Sequence, residues 1–158
     1  MSTDGGNEAV VDFGGYEGFS AAAPAVRTAL LAMGKAVRDS GLDERLSELV
    51  KLRISALNGC HFCFRLHLDV ARRAGLRAAA IEDLPVWRES SVYDARERAA
   101  LGWAEVLTAA PDVEATERAR AALLAVFTPS EVVFLTSAIA NIHAWNRIAR
   151  GLAFPPTS

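Results

Sequence analysis

Residues 48–75 read ELVKLRISALNGCHFCFRLHLDVARRAG, two helix-like stretches joined at Asn58-Gly59. Before the joint, Leu46, Leu49, Val50, Ile54 and Leu57 recur at the spacing of an amphipathic helix, which Asp43 is placed to cap. After it, the pattern predicts a helix from near Cys60 to Arg73 that stops at Gly75. The joint carries the chain's only two cysteines, Cys60 and Cys63, and two of its three histidines, His61 and His67.

Helical signals continue on both sides. Pro24 suits the first turn of a helix with apolar positions Val26, Leu30, Met33 and Val37, ended by Gly41. A short helix is expected over 77–83, then a loop from Pro85 to Tyr93. Asp94 with Glu97 caps a helix running through Leu107, and 116–127 reads as another. In the last helix Thr128 and Glu131 make a capping box, Pro129 takes the first position and Gly151 closes it. No stretch alternates with period two for long enough to build a sheet, so the fold class is all-α. Trp87, Trp103 and Trp145, with Phe127 and Phe134, read as packing residues rather than a cofactor box.

At 158 residues and 51% hydrophobic, the chain is expected to form one domain over 1–158 that buries about 70% of its unfolded surface. Residues 1–19, rich in glycine, are expected to be loosely ordered. A net charge of −2 from interspersed charges leaves no footprint for nucleic acid and no polybasic membrane anchor. No apolar run reaches spanning length and the start lacks the basic and apolar parts of a signal peptide, so a cytoplasmic location is expected. In that compartment a close cysteine pair is catalytic or metal-binding more often than a structural staple.

Cys60 and Cys63 fall in the first turn of their helix, where free backbone N–H groups and the positive end of the dipole stabilise a thiolate. At i and i+3 their Cα atoms are about 5 Å apart, within disulfide reach. His67 lies one turn beyond Cys63, where an imidazole can take a thiol proton. A c-type haem site needs histidine directly after the second cysteine, and Phe64 stands there. A thioredoxin-like motif follows a strand, and this one follows a helix. Zinc has three ligands in C-x-x-C-x-x-x-H, with His61 or a distant acid as a fourth, but lacks the second ligand pair that structural zinc sites use. Two buried cysteines acting as small core hydrophobes are the remaining reading.

The segment resembles the core of the AhpD-like alkylhydroperoxidases of the carboxymuconolactone decarboxylase superfamily. Their pattern places a glutamate twelve residues before C-x-x-C-x-x-x-H, and Glu48, Cys60, Cys63 and His67 match it. EDLPVWRESSVYDARERAALGWAEVLT and the AWNR of the last helix are also similar to the family. Phe62 departs from it, standing where some peroxidase members carry a histidine. The resemblance implies an all-α, AhpD-like helical bundle of about six to seven helices, an obligate homo-oligomer, and a catalytic set of Glu48, Cys60, Cys63 and His67 without metal or cofactor.

It also gives Glu48 a role that spacing alone cannot assign, as the acceptor behind His67 in a proton relay. On that basis Cys63 is expected to attack a peroxide and Cys60 to condense its sulfenic acid into a disulfide; the opposite order stays open, because the first cysteine of a helical C-x-x-C receives more of the free N–H groups. An external dithiol then reduces the disulfide by attacking Cys60, expected to be the more accessible sulfur. The alternatives are a carboxymuconolactone decarboxylase-type enzyme, using Glu48 and His67 for acid–base chemistry on a lactone acid, and a non-enzymatic metal-binding or regulatory protein. Proton transfer alone has no need of two thiols at disulfide spacing.

Overall fold

The computed structural model describes residues 11–109 and 112–156. Among these the regular structure is entirely helical: α1 (Gly15–Ala22), α2 (Pro24–Asp39), α3 (Glu44–Leu57), α4 (His61–Arg73), α5 (Ala78–Glu82), α6 (Ala95–Ala109), α7 (Val113–Leu124) and α8 (Pro129–Gly151), with a 3-10 turn at Leu84–Val86. The all-α class is as expected, but the described residues hold eight α-helices rather than six or seven. The unexpected one is α1, whose first five residues lie in the segment expected to be loosely ordered. Gly14 (φ 70°) and Gly15 (φ 59°) turn the chain into α1 through left-handed backbone that glycine adopts without strain, and Phe19 is buried. Residues 1–10 of that segment lie outside the described residues.

Local chemistry sets most helix ends. Asp43 Oδ1 accepts the N–H of Arg45 at 2.9 Å, Asp94 and Glu97 cap each other reciprocally, and Thr128 and Glu131 form the capping box at α8. Helix α7 spans Val113–Leu124 rather than 116–127, because Asp112 caps it by accepting the N–H of Ala115 at 2.7 Å. The loop after Pro85 begins as the 3-10 turn and is pinned by Arg98, which donates to the carbonyls of Ser90 at 2.9 Å and Arg88 at 2.7 Å.

Helix α3 is the centre of the domain, packed against α4, α6 and α8. The single stripe expected of it is two faces. Leu46, Val50 and Ile54 enter one buried cluster, shared with α8, while Leu49 and Leu52 enter a second, shared with Leu68, Trp87 and Leu101. Burying each of these apolar side chains contributes about 1.5–3 kcal/mol, and the charged residues between them, Glu48 among them, are buried or half-buried with partners. Leu57 alone of the expected stripe is exposed. Helix α2 behaves oppositely: of Val26, Leu30, Met33 and Val37 only Val37 is buried, and the outward side is left open.

Candidate active site

The joint between α3 and α4 is a Schellman turn. Gly59 (φ 63°) donates its N–H to Ala56 C=O at 3.1 Å and Cys60 donates to Ser55 C=O at 2.9 Å. The turn delivers Cys60 to the N-cap of α4, where its Sγ accepts the N–H of Cys63 at 3.3 Å. The two cysteines are joined as a disulfide, with Cα atoms 5.4 Å apart. Both are buried, Cys60 at 2% and Cys63 at 3% exposure. Cys60 is therefore not the more accessible sulfur: its N-cap role turns the side chain inward, and of the pair only Cys63 lines a cavity.

That cavity, about 550 Å³, lies between α2, α4 and α8 beneath Tyr16. Its walls are apolar, with Leu30, Leu66, Ile142 and Trp145 among them, and it reaches Cys63, His67 and Lys51. Phe62, between the cysteines, packs on Tyr16 and Phe154 with ring centroids 6.2 and 5.2 Å away. Phe154 is buried against its own chain, on Tyr16 and Phe19 as well.

Glu48, 3% exposed, reaches His67 from the neighbouring helix: its Oε2 lies 2.6 Å from His67 Nδ1. Its Oε1 accepts from Lys51 Nζ at 2.6 Å. Burial pushes the carboxyl pKa upward, but the hydrogen bond and charge of His67, with Lys51, outweigh it and hold the group below its usual range. Glu48 is thus an anion at neutral pH. With Nδ1 engaged by Glu48, Nε2 is the ring nitrogen His67 has free. Glu48, His67 and Cys63 are brought together, Cys60 stands behind Cys63, and His61 is exposed on the outer side of α4.

Lys51 was not anticipated, although Glu48–Lys51 at i, i+3 is a readable helical pair. Behind the turn lies a polar cluster in which Asn58 Nδ2 lies 3.0 Å from His143 Nδ1 and donates to Asn146 Oδ1 at 2.9 Å. Among the described residues no group of three or more His, Cys, Asp or Glu side chains is arranged to hold a metal ion, and no helix is long and apolar enough to cross a membrane.

The sequence profile of the carboxymuconolactone decarboxylase family matches residues 24–106, from the start of α2 through most of α6. The chain belongs to this family. The chain is similar to YdfG of Bacillus subtilis (strain 168), an uncharacterized protein, at 31% identity over 127 residues covering 80% of this chain and 86% of that one. It is also similar to the crystal structure of ATU0492 from Agrobacterium tumefaciens, described there as a candidate antioxidant defence protein AhpD. That likeness has a TM-score of 0.83 at 39% identity over 89% of this chain and 96% of that one. These place it among the AhpD-like members of the carboxymuconolactone decarboxylase family. The debrominase Bmp8 shares the fold at 16% identity, with a TM-score of 0.75 over 89% of this chain and 76% of that one. A shared fold does not fix the chemistry, and the reaction has to be argued from the site.

Proposed function

We propose that this protein is a thiol-dependent peroxidase that reduces organic hydroperoxides at the expense of an external dithiol. The observation that carries the reading is that Cys63 and His67 open onto one apolar cavity, with Glu48 behind the imidazole and Cys60 bonded behind the sulfur. In the reduced chain His67, backed by Glu48, takes the Cys63 proton. The thiolate attacks the terminal peroxide oxygen, the O–O bond breaks, and the alcohol leaves with a proton, giving a Cys63 sulfenic acid. The Cys60 thiol displaces that hydroxyl as water and forms the disulfide. The dithiol enters by the same cavity and attacks Cys63, expelling Cys60 as a thiolate that the Cys63 N–H stabilises at the N-cap. One disulfide is reduced and the dithiol is oxidised.

The cavity is larger than hydrogen peroxide requires and falls in the range of small-molecule sites, which favours a hydroperoxide with an apolar body. The chain acts as a single domain and a homo-oligomer, a reading supported by the exposed Val26 and Met33 of α2. The reaction suits the cytoplasm, where dithiol reductants are kept reduced.

Reduced protein given one equivalent of cumene hydroperoxide is expected to lose both thiols, release one equivalent of alcohol and lose two hydrogens in mass. Peroxide left unconsumed, or a sulfinic acid on one cysteine beside a free thiol on the other, would overturn the reading. Acid–base catalysis on a lactone acid draws on Glu48 and His67 alone; turnover that survives Cys60→Ser with Cys63→Ser would establish it instead.

A further inference from the structure

The hydrogen bonds around His143 determine its protonation state. Thr108 Oγ1 spends its hydrogen on the Ala104 carbonyl at 2.6 Å, so it can only accept from His143 Nε2, 3.1 Å away. At the other nitrogen Arg147 Nη1 stands 3.0 Å from Nδ1, and a guanidinium only donates. The imidazole is therefore neutral, protonated at Nε2 and accepting at Nδ1, whichever way the neighbouring amides are turned. That acceptor also takes Asn58 Nδ2 at 3.0 Å.

Asn58 begins the turn that ends in Cys60, and α8 holds it by three contacts. These are His143, Asn146 Oδ1 and Arg150, which donates to the Asn58 carbonyl at 2.6 Å. Asn146, fully buried, passes the network on to Ser55 Oγ at 3.2 Å, and the Ser55 carbonyl receives the Cys60 N–H.

We propose that His143 is a positioning residue: as a neutral acceptor it fixes the Asn58–Gly59 turn and with it Cys60, and its protonation loosens the turn and weakens the Cys60–Cys63 disulfide. A proton on Nδ1 would face two donors and no acceptor. Relief by turning the Asn58 amide would oppose its oxygen to that of Asn146. The cationic neighbours act in the same direction. On α8 these are Arg147 beside the ring and Arg150 at the Asn58 carbonyl. From α6 only Thr108 bonds the ring, and Glu105, one turn earlier, is engaged by Arg53, Arg88 and Trp87. From α3 the contact is the uncharged Asn58. Burial, then Arg147, lowers the His143 pKa.

The inference rests on Cys60 and Cys63 being a reversible pair, but its test uses no peroxide and so fails separately from the peroxidase reading. Exchange of the dithiol with oxidised glutathione gives an equilibrium constant to which ionisation of Cys63 contributes alike in wild type and in His143→Asn, whose Oδ1 sits where Nδ1 does and does not titrate. Between pH 7 and pH 5 the wild-type constant is expected to fall threefold to tenfold relative to that of His143→Asn, the range spanned by one lost hydrogen bond. Parallel profiles overturn the inference and assign any pH dependence to the cysteines or to other groups. By linkage the His143 imidazole, followed by nitrogen NMR in the unaltered protein, must titrate at lower pH in the oxidised chain than in the reduced one. Equal values, or a neutral ring protonated at Nδ1, would sink the inference without any variant.

Discussion

His67 Nδ1 and Glu48 Oε2 stand 2.6 Å apart across two helices, with the carboxylate buried and its other oxygen held by Lys51. A pair so placed fixes the orientation of the imidazole. If it sets the thiolate fraction of Cys63, Glu48→Gln and His67→Gln should each slow the reaction with peroxide at neutral pH by about 10²–10⁴. The deficit should shrink as pH rises past the thiol pKa, because hydroxide then does the work of the relay. Stopped-flow traces from pH 6 to 10 would show the convergence, and an equal loss at every pH would mean that the pair only supports structure.

Stability in acid should carry the mark of the same carboxylate. Its pKa is depressed in the fold, so its contribution is fully present above the unfolded value, about 4.3, and is lost as pH falls through the lower folded value. Urea titrations should find Glu48→Gln less stable than wild type at pH 7, with the gap narrowing steadily below about pH 4.3. A gap that widens in acid would contradict the sign.

Phe154 anchors the chain end against Tyr16, Phe19 and Phe62. Phe154→Ala removes a buried ring, and a cost of about 3 kcal/mol is expected in equilibrium unfolding. Fluorescence of Trp145, which packs on Phe19 and Tyr16, should change in the folded variant as α1 loses its support. An effect below about 0.5 kcal/mol, the scale of an ordinary surface substitution, would show that the cluster is not under load.

Val26 and Met33, one above the other on α2, are exposed. Sedimentation at micromolar concentration is expected to give a mass above the 16.9 kDa of one chain, and Met33→Arg should shift it toward the monomer. A monomer under all conditions would remove the homo-oligomer from the proposal.

How much of this was readable in the sequence depended on the range of each signal. Asp43, Asn58-Gly59, Gly75 and the Thr128–Glu131 box act within a few residues, and the helices they bound stand where those residues put them. Helix α1 was not readable, because what buries it is Trp145 and Phe154, more than a hundred positions along the chain. The two-sided burial of α3 was likewise hidden, since periodicity shows an apolar face but not what lies beyond the opposite one. At the site, Cys60, Cys63 and His67 share one helical face and were legible as a group. Glu48 came only through the family pattern. The contacts of Asn58 with His143 and Asn146 span 85 and 88 positions and had no local signature.

Concealment of both sulfurs turns the disulfide into a gauge of breathing. A bulky thiol or phosphine cannot reach Cys60, 2% exposed, while its surroundings are closed, so its reduction rate is the intrinsic rate multiplied by the fraction of time the cover is displaced. Slim reagents that enter the cavity and strike Cys63 escape that factor. The ratio of the two rates, compared with amide hydrogen exchange in α1 and the first turn of α4, measures the opening free energy of this corner separately from global unfolding.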